Sequence, residues 1–401
     1  MAKNKKITRR QVFLLGLGMV ATISTLPLAR KLRKVNSQEQ KPENRNFAVV
    51  GDATLKQRAA TKRLIYGVAS ERSILTSDQK FTNIVTQESA MLVAEADLLW
   101  NALRPSPEDY DFSRGDWIAE FARNKKMLFG GTHLVWSQAM PSWFEEKVNQ
   151  QNAREILLNH IETVAGHYAG KIHLWTVVNE AVDPGHGRDD GLSNIRWLQL
   201  LGPDYIEMAF RAAAKADPNA LLLYNDNALE YDNGYHDKKR TAVLKLLERL
   251  KSKGTPIHGL GFQTHVGAVL DDFNPKKLSA FLHDVAQLGL KIVVTEMDVG
   301  DRELPTNINV RDRLIAGAYE DFLTTILAEP AVIGVITWGL SDKYTWYSWS
   351  SLRREDGTPA RPLPYDANMQ RKLAWNGIAR AFDKADRRQK SQLWTAWRKL
   401  Q

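Results

Sequence analysis

The stretch Leu174-Trp175-Thr176-Val177-Val178-Asn179-Glu180 constrains the fold of this chain more than any other. An apolar, β-branched run that stops on Asn-Glu reads as a buried strand presenting a carboxylate at its C-terminal end. A second stretch, Ile292-Val293-Val294-Thr295-Glu296-Met297-Asp298, closes on a glutamate in the same way. One acid in such a place could merely open a loop or cap the next helix. Two strands ending alike point to two carboxylates that face a common space.

The rest of the chain supplies the frame. Short apolar runs occupy residues 64–69, 90–95, 127–136, 173–180, 221–227, 258–266, 291–299 and 333–342. Segments of helical period fall between them, near 117–124, 203–216, 238–253, 275–289 and 310–328. Asn152-Ala153-Arg154-Glu155 has the form of a capping box, opening a helix through Ile156, Ile161, Val164 and Tyr168. Strand alternating with helix implies parallel pairing through crossover helices, and eight such units close a barrel. The expected fold is therefore α/β, a (β/α)8 barrel forming a single catalytic domain over residues 61–382. A chain of 401 residues accommodates it, since such barrels commonly run to about 250 residues or more.

The net charge of +9 suggests nucleic-acid binding until it is located. Residues 1–34 hold nine of the 55 basic residues and no acid, which leaves 46 basic against 46 acidic residues in the body. A neutral body argues against a nucleic-acid partner. The basic start runs into Thr8-Arg9-Arg10-Gln11-Val12-Phe13-Leu14 and then apolar sequence to Leu28, which resembles a twin-arginine export signal. Leu26-Pro27-Leu28-Ala29 is a poor cleavage site, so an uncleaved membrane anchor is the competing expectation, its roughly 17 apolar positions being at the short limit for a span. Residues 1–34 are thus expected to be signal or anchor, 35–60 a polar linker, and 383–401 a basic amphipathic helix with Leu393, Trp394, Trp397 and Leu400 at helical spacing. There is no cysteine, which excludes disulfides, thiolate metal sites and cysteine nucleophiles.

Barrel enzymes hold their chemistry at the C-terminal ends of the strands. Here those ends carry Glu95; Thr132, His133, Trp136 and Ser137; Asn179 and Glu180; Asn225, Asp226 and Asn227; Gln263 and His265; Glu296 and Asp298; and Trp338 with Trp346 beyond it. Carboxylates, amides, imidazoles and indoles at one mouth suit carbohydrate, which offers hydroxyls to hydrogen-bond and flat C–H faces to aromatic rings. Two glutamates with no nucleophilic-serine motif or evident metal cluster suggest glycosidic cleavage by a carboxylate pair. His265 and Asp298 would keep Glu296 charged and oriented, and Trp338 and Trp346 would lie against the sugar.

From about residue 64 to 380 the chain resembles glycoside hydrolase family 10, the retaining endo-1,4-β-xylanases. The motifs are Trp-Thr-Val-Val-Asn-Glu-Ala at 175–181, Gly-Phe-Gln-Thr-His at 261–265, Val-Thr-Glu-Met-Asp-Val at 294–299 and Thr-Trp-Gly-Leu-Ser-Asp at 337–342. Arg361-Pro362-Leu363-Pro364-Tyr365-Asp366, with Lys372 and Ala374-Trp375, is similar to the family's closing segment. The resemblance implies that Glu180 is the acid/base and Glu296 the nucleophile, about 5–5.5 Å apart. It places Glu95, Trp136, Asn179, Gln263, His265, Trp338 and Trp346 around the sugar, with Asp298 in support. No cofactor is expected, and the expected partner of a monomeric, exported enzyme is a polysaccharide, xylan or a related β-1,4-glycan.

The match weakens on the second and third strands. Glu95-Ala96-Asp97-Leu98-Leu99-Trp100 stands where the family has Glu-Asn-x-x-Lys-Trp, and Gly131-Thr132-His133-Leu134-Val135-Trp136-Ser137 where it has Gly-His-Thr-Leu-Val-Trp-His. Strand alternation would turn the displaced imidazole of His133 away from the mouth. Four sugar contacts would thus be lost or redirected, each worth about 1–3 kcal/mol. The expectations are low activity on plain xylan or preference for a different or decorated glycan. The competing reading is a carbohydrate-binding barrel with little turnover.

Overall fold

The computed structural model describes residues 45–349 and 351–401; the expected export signal and the first part of the expected linker lie outside the described residues. Nine strands form: β1 (Ile65–Ser70), β2 (Met91–Ala94), β3 (Leu128–Gly131), β4 (Leu174–Asn179), β5 (Leu221–Asp226), β6 (Gly259–Phe262), β7 (His265–Gly267), β8 (Lys291–Gly300) and β9 (Val332–Thr337). All pair in parallel, in the order β6-β5-β4-β3-β2-β1-β9-β8, and a further β6–β8 pairing closes the ring. β7 is a short outward continuation of the sixth run, paired only with the far end of β8. The result is an eight-stave (β/α)8 barrel, with helices such as Ala153–His167, Tyr205–Ala216 and Ile308–Ile326 on its outside.

The strands are apolar on both faces because both faces are covered. Inward residues Ile65, Met91, Leu128, Leu174, Leu221 and Val293 fill the lumen, while Val68, Leu92, Phe129, Trp175 and Leu222 pack outward with the helices. Gly131 illustrates how tightly this is filled, since a Cβ there would lie 2.3 Å from the Trp175 ring.

The C-terminal segment seals the lower end of the lumen. Its helix, Gln392–Leu400, starts at Ser391, whose side chain accepts the Trp394 N–H, and it inserts Leu393 and Trp397 into the inner cluster. Gln392 donates to the Asn219 carbonyl (2.6 Å) and Gln401 to that of Lys126 (3.0 Å), both just upstream of barrel strands. Arg388 donates to the carbonyls of Val332 (3.1 Å) and Leu327.

Three local expectations are corrected. Residues 55–60, expected as linker, belong to a helix, Leu55–Thr61, with a complete capping box between Thr54 and Gln57. That helix buries Leu55 and Ala59, and Arg58 pairs with Asp383 (2.5 Å). A short polar segment becomes ordered here because one face of it meets the barrel. The capping box expected at Asn152 is not made. The Asn152 side chain instead accepts the Asn149 N–H and donates to the Lys147 carbonyl, both at 2.8 Å, so it closes the preceding turn. The third run, expected to be strand through Trp136, leaves regular pairing after Gly131, with only an isolated bridge from Val135 to Val178.

Candidate active site

Two backbone devices aim the glutamates. Glu180 follows β4 with φ +55°, a left-handed conformation that a side chain rarely adopts, and its N–H donates to the Asn225 carbonyl (2.9 Å). Glu296 lies within β8, next to a register shift between Val294 and Met297 in the pairing with β9. Its N–H donates to the Gln263 carbonyl at 3.1 Å. The two acids thereby hang from the ladder that joins β4, β5, β6 and β8.

Amide side chains complete the link between them. Gln263 Nε2 donates to Glu180 Oε1 (2.9 Å) and to Asn179 Oδ1 (3.1 Å). Asn225 Nδ2 donates to the same Asn179 oxygen (2.8 Å) and to Glu296 Oε1 (2.7 Å), while its own oxygen accepts from Thr295 Oγ1 (2.7 Å). Every N–H of these two amides is therefore engaged. Because Asn179 Oδ1 accepts twice, the orientation of that amide is fixed, and its buried Nδ2 makes no hydrogen bond to the described protein. Gly261 makes room for the relay: a Cβ there would lie 2.2 Å from Asn225 Oδ1.

The surroundings of the two acids differ. Glu180 is half-buried, and its Oε2 accepts from Trp136 Nε1 (3.0 Å) and Gln138 Nε2 (3.3 Å). Glu296 is buried, with His265 Nε2 at 3.2 Å from Oε2. His265 Nδ1 meets Asp298 Oδ1 at 2.9 Å, and Asp298 also accepts from Trp346 Nε1 (2.7 Å) and the Tyr347 hydroxyl (3.0 Å). Burial opposes charge on His265, yet ion pairing with Asp298 and Glu296 raises it well above its ordinary value. Burial likewise pushes the Glu296 carboxyl upward, but the hydrogen bond from His265, the nearby imidazoles and the Asn225 amide hold it below the usual range.

His133 corrects the sequence expectation. Its imidazole does not turn away: Nε2 lies 3.9 Å from Glu296 Oε1, the ring stands edge-on to Trp136, and Nδ1 meets Thr176 Oγ1 at 2.8 Å. Alternation failed as a guide because β3 has already ended at Gly131, and the Thr176 hydroxyl accepts the His133 N–H in place of a ladder partner. Burial drives His133 down to about 4, so it is neutral at pH 7 and the positive charge near Glu296 comes from His265. Thr132 turns to the Ala94 carbonyl (2.7 Å).

The other expected residues are distributed around this centre. Trp338 and Trp346 stand edge-on to the His265 ring, at 6.4 and 5.4 Å between centroids. Glu95 is buried one residue past β2, its N–H 3.4 Å from the Ser70 carbonyl. Leu99 is buried and leaves no polar group where the family places a lysine. Sequence reasoning gave no role to Asn225, Thr295, Gln138 or Tyr347. Asn225 was visible as a polar strand end. The other three act through partners distant in sequence and carried no signal of their own.

A family model described as Glycosyl hydrolase family 10 matches residues 54–381. A beta-1,4-xylanase of Dictyoglomus thermophilum is 34% identical over 304 residues, 74% of this chain and 82% of that one. Endo-1,4-beta-xylanase 1 of Humicola insolens is 31% identical over 340 residues, 83% of this chain and 75% of that one. Among solved structures, xylanase 10B of Thermotoga maritima superposes with a TM-score of 0.74 at 30% identity, covering 82% of this chain and 98% of the other. Two strand-end glutamates joined by an amide relay, on a closed parallel barrel with relatives of this identity and coverage, lead to one assignment: the chain belongs to glycosyl hydrolase family 10.

Proposed function

We propose that the protein is a retaining endo-1,4-β-xylanase acting on xylan or a decorated form of it. The observation that carries this reading is the relay Glu180–Gln263–Asn179–Asn225–Glu296, which ties both carboxylates to one mouth. In the first step a Glu296 oxygen bonds to the anomeric carbon while the glycosidic C–O bond breaks, and Glu180 passes its proton to the departing oxygen. In the second step Glu180 takes a proton from water, the water oxygen bonds to the anomeric carbon, and the bond to Glu296 breaks. The hydrogen bonds from His265 and Asn225 keep Glu296 ionised for attack, and Asn179 Nδ2 offers a donor to a sugar hydroxyl beside the reacting carbon.

With His133 back beside Glu296, the departures from the family pattern that remain are Ala96, Leu99, Ser137 and Thr132, whose hydroxyl turns to the Ala94 carbonyl. Turnover of short unbranched xylo-oligosaccharides should accordingly be poor relative to polymer. A reducing-sugar assay over xylan, glucan and mannan, run beside Glu296→Ala, tests the reading. Glu296-dependent release from xylan with the β-anomer formed first by NMR is expected; binding without release would instead support a carbohydrate-binding barrel.

The basic start with Arg9-Arg10 supports export by a twin-arginine route and action outside the cytoplasm. Among the described residues no helix is long and apolar enough to cross a membrane. Retention of the protein in the cytoplasmic fraction on changing both arginines to lysine would support the route, and unchanged export would refute it.

A further inference from the structure

The charges of the neutral body are not spread evenly over the barrel. The turns that lead from the outer helices into the eight staves, with Lys291 at the start of β8, hold seven basic residues and two acids. Both acids are engaged: Asp217 is buried and accepts from Trp175 Nε1 (3.4 Å), and Glu329 accepts the Ala331 N–H (2.9 Å). The segment after the helix Leu373–Lys384 adds five basic residues and one acid. These turns all lie at the lower end, because each helix returns there before the next strand begins. The tail joins them: the Arg388 N–H donates to the Lys62 carbonyl (2.8 Å), and Arg63 donates to the Arg388 carbonyl (3.1 Å). The lower end is thus a positive face, and the rest of the body carries the balancing acids.

Lys125, Lys126, Lys171, Lys390, Arg398 and Lys399 are exposed on that face, and among the described residues none of them forms an ion pair. Trp394 is half-buried there, with the guanidinium groups of Arg63 and Arg398 at 5.7 and 5.8 Å from its ring centre. Basic groups distributed round a rim, with an indole among them, match a broad anionic surface better than a single polymer strand, which calls for a groove. At a bilayer, anionic head groups attract lysine and arginine, and tryptophan sits at head-group depth. The start of the described chain agrees. Arg45 pairs with Asp321 (2.6 Å), five residues before the helix Ile308–Ile326 reaches the lower end, so the basic and apolar N-terminal sequence joins the barrel on this side.

We propose that the lower face docks on a bilayer containing anionic phospholipid, with the catalytic mouth turned away from the membrane. The inference does not depend on which glycan is cut. It gives the C-terminal helix a second role beside closing the lumen.

Cosedimentation of the full chain with vesicles tests it. Vesicles of phosphatidylcholine with about one-third phosphatidylglycerol should bind the protein about tenfold or more tightly than phosphatidylcholine alone, and the difference should shrink in high salt. The triple variant Lys125→Glu, Lys171→Glu, Lys399→Glu should lose most of that preference, with an unaltered melting curve and unchanged hydrolysis of soluble substrate. A second triple variant of equal net charge, Lys80→Glu, Lys238→Glu, Lys276→Glu, reverses lysines in the first turns of helices at the opposite end and should keep the preference. Every variant retains the same N-terminal segment, so binding through that segment alone would leave the lower-face variant like the parent and overturn the proposal. Equal losses in the two variants would overturn it too, as would capture by a soluble polyanion such as heparin without binding to anionic vesicles.

Discussion

The two ends of the barrel are built from opposite materials. The upper mouth is a continuous polar network in which Glu180, Gln263, Asn179, Asn225 and Glu296 satisfy one another, with Asn179 Nδ2 left open. The lower end is apolar, closed by Leu393 and Trp397 over Leu128, Leu174 and Leu221. A buried polar group is stable only when its partners are in place, so the mouth specifies geometry at the expense of apolar burial, while the lower end contributes stability and no chemistry. Function and stability are thereby separated along the barrel axis, and mutations at the two ends should fall into separate classes.

Replacing Glu296 by alanine should sharpen this contrast most, lowering kcat by about 10⁴-fold or more while the far-UV spectrum and melting temperature stay close to those of the parent. At the other end, Trp397→Ala should lower unfolding free energy by about 3 kcal/mol in denaturant titration, with kcat/KM at 25 °C unchanged. A matching loss of activity there would break the separation.

Glu230 tests the boundary between the two classes. It is buried just past β5, its Oε1 lacks a hydrogen bond within the described protein, and burial pushes it up to about 7 from an ordinary 4.5. The folded state thus prefers the protonated acid. Its penalty is absent below pH 4.5, grows as the pH rises toward 7 and is complete above that. Glu230→Gln should accordingly stabilise the protein at pH 8, by up to about 3 kcal/mol, and have little effect at pH 4. Equal effects at both pH values would refute this account. Last, Asn225→Ala cuts the relay at its centre and should reduce kcat/KM by about 100-fold, with a rise in the acidic limb of the pH profile as Glu296 loses a hydrogen bond that favours its charge.

The sequence showed the barrel through the spacing of eight apolar runs, and it showed the acids because polar residues at the ends of buried strands have few structural reasons to be there. It misled where a rule of regular structure was carried past the end of that structure. His133 was judged by strand alternation, yet β3 stops two residues earlier and the Thr176 hydroxyl takes over its N–H. Asn152 was judged by a capping pattern that a neighbouring turn overrode. The helix at Leu55–Thr61 was missed because seven residues carry too little periodicity to separate a short docked helix from a linker.

What the sequence determined alone was the fold, the family and the standing of two glutamates at strand ends, since hydrophobic period and strand-end chemistry are local properties of the chain. Only the tertiary structure decided which groups serve those carboxylates. The relay joins residues as far apart as Asn179 and Gln263, Asn225 and Glu296, and Asp298 and Trp346. Such hydrogen bonds depend on barrel closure and on side-chain direction, which no pattern of neighbouring residues encodes.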